Sequence, residues 1–149
     1  MSMVDKLSSL YNAATVVLVA AAVWQTPSHA LEGTGIIAIK DKHLMTLTWT
    51  GPATVLNSTI GRLDNLGSTT IKNTTITSAR QVGSIEATET VFVSDVDLTT
   101  ANSTFNHSQI GGNLLIHNNG NGRVNINLNN TTVMGAVLCD IKPCPVTIN

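Results

Sequence analysis

The chain has 149 residues, of which 42% are hydrophobic but only 3% aromatic and 11% charged, with a formal net charge of −1 at pH 7. That length holds one folded domain, and a near-neutral balance with no basic stripe excludes nucleic acid as a partner, because phosphates are held by clustered Lys and Arg. So few aromatic rings also exclude a core built around them, leaving backbone pairing and many small contacts as the source of order.

The first thirty residues read as an export signal. Met1 to Asn12 is polar and carries Lys6, offset by Asp5; Ala13 to Trp24 is an uncharged apolar run, shorter than a comfortable membrane span. Pro27 ends a helix there, and Ser28-His29-Ala30 offers small residues at the positions a signal peptidase reads. Residues 1–30 are therefore expected to form a helical signal peptide cleaved between Ala30 and Leu31, with an uncleaved anchor as the alternative. The mature protein is expected to be secreted, periplasmic or at the cell surface, with no membrane contact after cleavage. It carries seven basic residues against eight acidic ones.

Residues 31–45 lack the pattern that follows and are expected to cap the domain, with Ile36, Ile37 and Ile39 covering the first coil. Beyond them the sequence repeats. Val55-Leu56-Asn57-Ser58-Thr59-Ile60 returns as Ile71-Lys72-Asn73-Thr74-Thr75-Ile76, sixteen residues later, and Thr90-Val91, Asn102-Ser103-Thr104-Phe105 and Asn130-Thr131-Thr132-Val133 continue it. Apolar stations fall four to six residues apart: Val55, Ile60, Leu66; Ile71, Ile76, Val82; Ala87, Val91, Val96; Ala101, Phe105, Ile110; then Leu115. Helices would need spacings of three and four, and hairpins strict alternation. Three stations per period of 14 to 16 residues instead predict an all-β fold, a small single-stranded β-solenoid (β-helix) of about six coils over residues 46–138. Gly61, Gly67, Gly83, Gly111 and Gly112 fall between stations, where corners are expected. Asn118 to Gly122 reads as a turn or short insertion, and Val124-Asn125-Ile126-Asn127-Leu128 as a strand. In the tail, 139–149, Cys139 and Cys144 are expected to pair as a disulfide in an oxidising compartment.

The residues that carry chemistry are sparse. Asp95 and Asp97 sit two apart and would share a strand face, as a metal site or glycosidase needs, but with no third acidic residue nearby a solvated strand face is the expected reading. His107 and His117 could meet on adjacent coils to bind a metal or move protons, or simply stand at exposed corners. Two cysteines cannot complete a zinc site, and no Gly-x-Ser-x-Gly or phosphate loop occurs. Asn57, Asn73, Asn102, Asn106, Asn129 and Asn130 each open an N-glycosylation acceptor triplet, which an Asn- and Thr-rich repeat generates by itself. Thr46, Thr48 and Thr50, with Thr75, Thr77, Thr88 and Thr90, suggest an ice-binding threonine ladder but do not keep the coil period. No catalytic residue, metal or cofactor is expected.

Gly51-Pro52-Ala53-Thr54-Val55, the recurring Asn-Ser/Thr-Thr-Ile/Val unit and the run from Val124 to Gly135 resemble secreted, uncharacterised bacterial proteins with short β-solenoid repeats. More distantly they resemble bactofilins, polymer-forming bacterial cytoskeletal proteins. The resemblance spans residues 51–138 and implies a right-handed stacked coil with a tendency to polymerise. Bactofilins are cytosolic, so their cytoskeletal role does not carry over. The expected function is an exported structural or surface-interaction module, self-associating and non-catalytic. The alternative is a protein that binds an extracellular glycan or other surface ligand through an Asn/Thr-rich face.

Overall fold

The computed structural model describes residues 29–99, 102–117, 125–140 and 142–149. The expected signal segment through residue 28 lies outside the described residues, as do Ala101, the Asn118–Gly122 turn and Val124. Every regular element among those described is a β-strand, and the chain winds as a β-solenoid of about seven turns. Each turn contributes one strand to each of two parallel sheets. One sheet stacks β2 (Ile37–Lys40), β4 (Ala53–Leu56), β6 (Ser68–Lys72), β8 (Ser84–Thr88), β11 (Ser103–Asn106), β14 (Ile126–Asn129) and β17 (Val146–Ile148).

The other sheet holds β1 (Ala30–Thr34), β3 (His43–Thr50), β5 (Thr59–Asn65) and β7 (Thr75–Val82), and then strands that split in two. These are β9 (Val91–Phe92) with β10 (Val96–Thr99), β12 (Gln109–Ile110) with β13 (Leu114–His117), and β15 (Thr132–Val133) with β16 (Val137–Cys139). The split has a local cause. Buried side chains along a strand should alternate, yet Leu44 and Leu47, Ile60 and Leu63, and Ile76 and Ala79 are each three apart. One extra residue bends the strand there, as a bulge does. Each coil therefore has three stations, as the spacing predicts.

Three adjustments to the sequence reading follow from register. The segment 31–45 is a full coil rather than a separate cap, because β1 pairs with β3 at an offset of sixteen, Leu31 beside Leu47. The tail 139–149 is also structural: β17 pairs with β14, setting Ile148 beside Leu128. Both additions raise the number of turns from the expected six to about seven. The offset is 16 through the early coils and then becomes 18, 23 and 20.

The core is a column of aliphatic side chains with two rings. Val55, Ile60, Ile71, Ile76, Val96, Phe105 and Ile110 are buried. Phe92 and Phe105 meet edge to face at 5.7 Å, so neither ring is available to line a groove. Leu66 and Val91 were expected inside but stand 65% and 41% exposed, and Leu115 is half-buried between the buried Leu114 and Ile116. In each case a neighbour takes the inward position: Asn65 for Leu66, Phe92 for Val91. A strand's faces alternate with every residue, so a slip of one reverses in and out. Val82 lies in β7, outside the described side chains.

Corners are held by two devices. At one, Gly51 has φ of 125°, and a Cβ there would stand 2.6 Å from the Gly35 carbonyl oxygen; a Cβ on Gly67 would in turn meet the Gly51 nitrogen at 2.7 Å. Only glycine lets these backbones stack so closely. Beside them the buried Asn65 donates from Nδ2 to Gly51 O (3.0 Å), Ser68 O (3.3 Å) and Thr69 Oγ1 (2.9 Å) and accepts from Gly67 N at 2.8 Å. The last corner is closed by the Cys139–Cys144 disulfide, whose Cα atoms are 5.5 Å apart. Reduction is expected to release β17 alone, at roughly 2 kcal/mol for so short a loop. Hydrogen-exchange mass spectrometry should show protection lost across Val146–Ile148 and kept across β4 to β11; equal loss throughout would contradict it.

Candidate interaction surface

The repeated Asn-Ser/Thr unit forms the third corner, between the two sheets. Asp41, Asn57, Asn73, Glu89, His107 and Asn130 all adopt left-handed backbone, with φ of 47° to 56°. Asparagine suits this turn because its short side chain can bond locally at positive φ. The next residue turns inward: Ser58, Thr74, Thr90 and Ser108 are buried. Their hydroxyls donate back across the corner, Ser58 to Leu56 O (2.7 Å), Thr74 to Lys72 O (2.9 Å), Thr90 to Thr88 O (3.0 Å) and Ser108 to Asn106 O (2.8 Å). They also accept backbone N–H groups from the preceding coil, as Thr74 does from Ser58 and Ser108 from Thr90. Asn73 Nδ2 donates to Asn57 Oδ1 at 2.9 Å, so the outer amides form a short ladder. The triplets opened by Asn57, Asn73 and Asn130 thus have a structural origin in this corner.

Outward positions stack in columns. On one sheet Thr54, Thr70, Glu86 and Thr104 follow one another, with Asn127 and Thr147 beyond. A groove of ≈ 190 Å³ opens there, lined by Ser68, Thr70, Ser84, Glu86, Asn102 and Thr104. On the other sheet Thr46 is followed by Arg62 and Ser78, and Thr48 by Asp64 and Arg80, so these threonines do not stack into a ladder, as their spacing implies. A second groove, ≈ 410 Å³, runs along the third corner past Glu89, Val91, His107, Gln109, Asn130 and Thr132.

The paired candidates separate. Asp95 lies before β10 and accepts the Asn113 N–H at 2.7 Å, which fixes the bend between coils. Asp97, on β10, has Oδ1 at 3.2 Å from His117 Nε2, within ion-pairing distance but not aligned as a hydrogen bond. His117 Nδ1 lies 3.1 Å from Asp140 Oδ2, so one imidazole links carboxylates from the coils on either side of its own. His107 does not meet His117: both belong to one coil, His107 at its corner beside Asn130 Nδ2 (3.4 Å) and His117 at the end of β13. Among the described residues no group of three or more His, Cys, Asp or Glu converges as a metal site, and no helix is long and apolar enough to cross a membrane.

The reading from sequence missed Glu89, Gln109 and Asp140. For Glu89 the signal was present, since it stands sixteen residues after Asn73 and thirty-two after Asn57, in the same place of the repeat. No protein-family model, curated protein or solved structure matches the chain.

Proposed function

We propose that this chain is an exported structural or surface-interaction module that associates end to end and performs no catalysis. The observation that supports this is the open end of the stack. Inward residues of the middle coils are almost fully buried, whereas Val133, Val137, Cys139 and Val146 of the last coil are only partly so and Ile148 is 72% exposed. The outer edges of β15, β16 and β17 carry backbone groups that another strand can pair with. A second copy offers the outer edges of β1 and β2, the strands that end the two sheets at its first coil. The disulfide is in keeping with an oxidising, extracytoplasmic setting.

Two measurements test this reading. Protein recovered from the envelope or medium is expected to begin at Leu31 by N-terminal sequencing; an intact Met1 would remove the export step. Light scattering and electron microscopy of the purified protein are expected to show assemblies that lengthen with concentration. A monomer at all concentrations would reject self-association. The corner groove favours a second reading, a module that binds an extracellular glycan through its Asn/Thr-rich side, because it combines hydroxyl, amide, carboxylate and apolar groups on one accessible strip.

A further inference from the structure

The six left-handed corners form an internal comparison in which one turn is built by different residues. Asn fills three of them and Asp41 a fourth, as the backbone prefers. Glu89 holds the same turn at φ 50°. Its longer side chain lacks the local bonding that lets Asn and Asp tolerate this region, so the fold accepts strain that Asn would relieve. Strain retained where a cheaper residue fits points to a role for the side chain itself.

A second observation locates that role. Glu89 lies at the ≈ 410 Å³ groove, among His107, Gln109, Asn130 and Thr132, with Val91 as an exposed apolar floor. Among the described residues the Glu89 carboxylate makes no hydrogen bond or ion pair. Its two oxygens can accept from two adjacent hydroxyls at once, and the amides on either side both donate and accept. Asn130 Nδ2 lies 3.4 Å from His107 Nε2, so an amide and an imidazole stand side by side at the groove.

We propose that this groove binds a neutral saccharide unit, the Glu89 carboxylate accepting from a vicinal diol and Val91 packing against the C–H face of the ring. A sugar presents this alternation of hydroxyls and C–H groups. A lone carboxylate is too few ligands for a hard cation, and the apolar floor is too small for a peptide or membrane. The proposal rests on the glycan-binding reading above and assigns it a site.

The test uses the full chain, expressed with its own N-terminal segment, against a panel of neutral polysaccharides (dextran, mannan, galactan and β-glucan) and their oligosaccharides, read by calorimetry. Glu89→Asn and Glu89→Gln are each expected to weaken binding by about tenfold or more, the loss of a charge-assisted hydrogen bond. Glu32→Gln, on the first coil, should leave affinity unchanged. In thermal melts Glu89→Asn should exceed both wild type and Glu89→Gln, because it alone relieves the turn. Undiminished binding by both Glu89 variants, with wild-type binding intact, would overturn the site and leave the glycan reading standing. Absence of binding to every panel member by wild type would overturn both, and a melting temperature not raised by Glu89→Asn would remove the strain argument.

Discussion

Replacing Ile76 by aspartate is expected to abolish most of the domain's stability. The Ile76 side chain is fully buried, with Ile60 on the coil before and Phe92 on the coil after. A carboxylate there meets aliphatic carbon and a ring, with no donor to replace water. Burying it costs several kcal/mol, and a domain of this size holds about 5–15 kcal/mol in total. Lys72→Asp is the control, because Lys72 is exposed at the end of β6 and its backbone bonds do not depend on its side chain. That change should alter stability by no more than about 0.5 kcal/mol. Denaturant melts compare the two, and equal effects would mean that the inward register described for β7 is wrong.

The second large effect is expected at Asn65. Its amide faces two carbonyl oxygens and a hydroxyl with Nδ2, and one backbone N–H with Oδ1. In Asn65→Asp the donor becomes an anionic oxygen aimed at the carbonyls of Gly51 and Ser68. The loss should be about 3 kcal/mol at neutral pH, the cost of buried acceptors set against one another. Burial against two carbonyl oxygens, with the Gly67 N–H as its one backbone donor, disfavours the charged form, so the new carboxyl is raised above its unfolded value. The penalty is therefore fully present above the folded value and declines as pH falls towards the unfolded one, because the protonated acid can donate one bond. Asn73→Asp, in an exposed left-handed corner, should change stability little at either pH. Thermal melts across the acid range check both; a deficit at Asn65 that does not narrow on acidification would contradict the hydrogen-bond assignment.

Much of this architecture is legible in the residues alone. The return of Asn57-Ser58-Thr59-Ile60 as Asn73-Thr74-Thr75-Ile76 fixes the coil length, since a turn that needs positive φ and a hydroxyl that folds back across it are local requirements. Glycines at 51, 67 and 83 mark the corner where backbones stack too closely for a Cβ, again at intervals of sixteen. Density of Thr, Val and Ile, with few residues suited to helices, settles the strand character of everything between. The pair Cys139 and Cys144, five apart, has one partner each.

Other features depend on how coils sit on one another. Leu66 and Asn65 are neighbours, and hydropathy favours the leucine as the core residue. Asn65 goes inside because the corner leaves Gly51 O, Ser68 O, Thr69 Oγ1 and Gly67 N in need of partners that only an amide can satisfy together. Val91 and Phe92 exchange places likewise, since β9 takes its phase from pairing with β7, Ile76 beside Phe92. His117 stands between Asp97 and Asp140, and Glu89 beside His107 and Asn130, because offsets of 18 and 23 bring those positions into adjacent turns. The sequence by itself determined the repeat, its strands and its turn chemistry, because these follow from steric preferences within a few residues. Which side chain of each adjacent pair faces inward and which polar groups share a groove were decided by tertiary structure, because strand phase and coil offset exist only between one turn and the next.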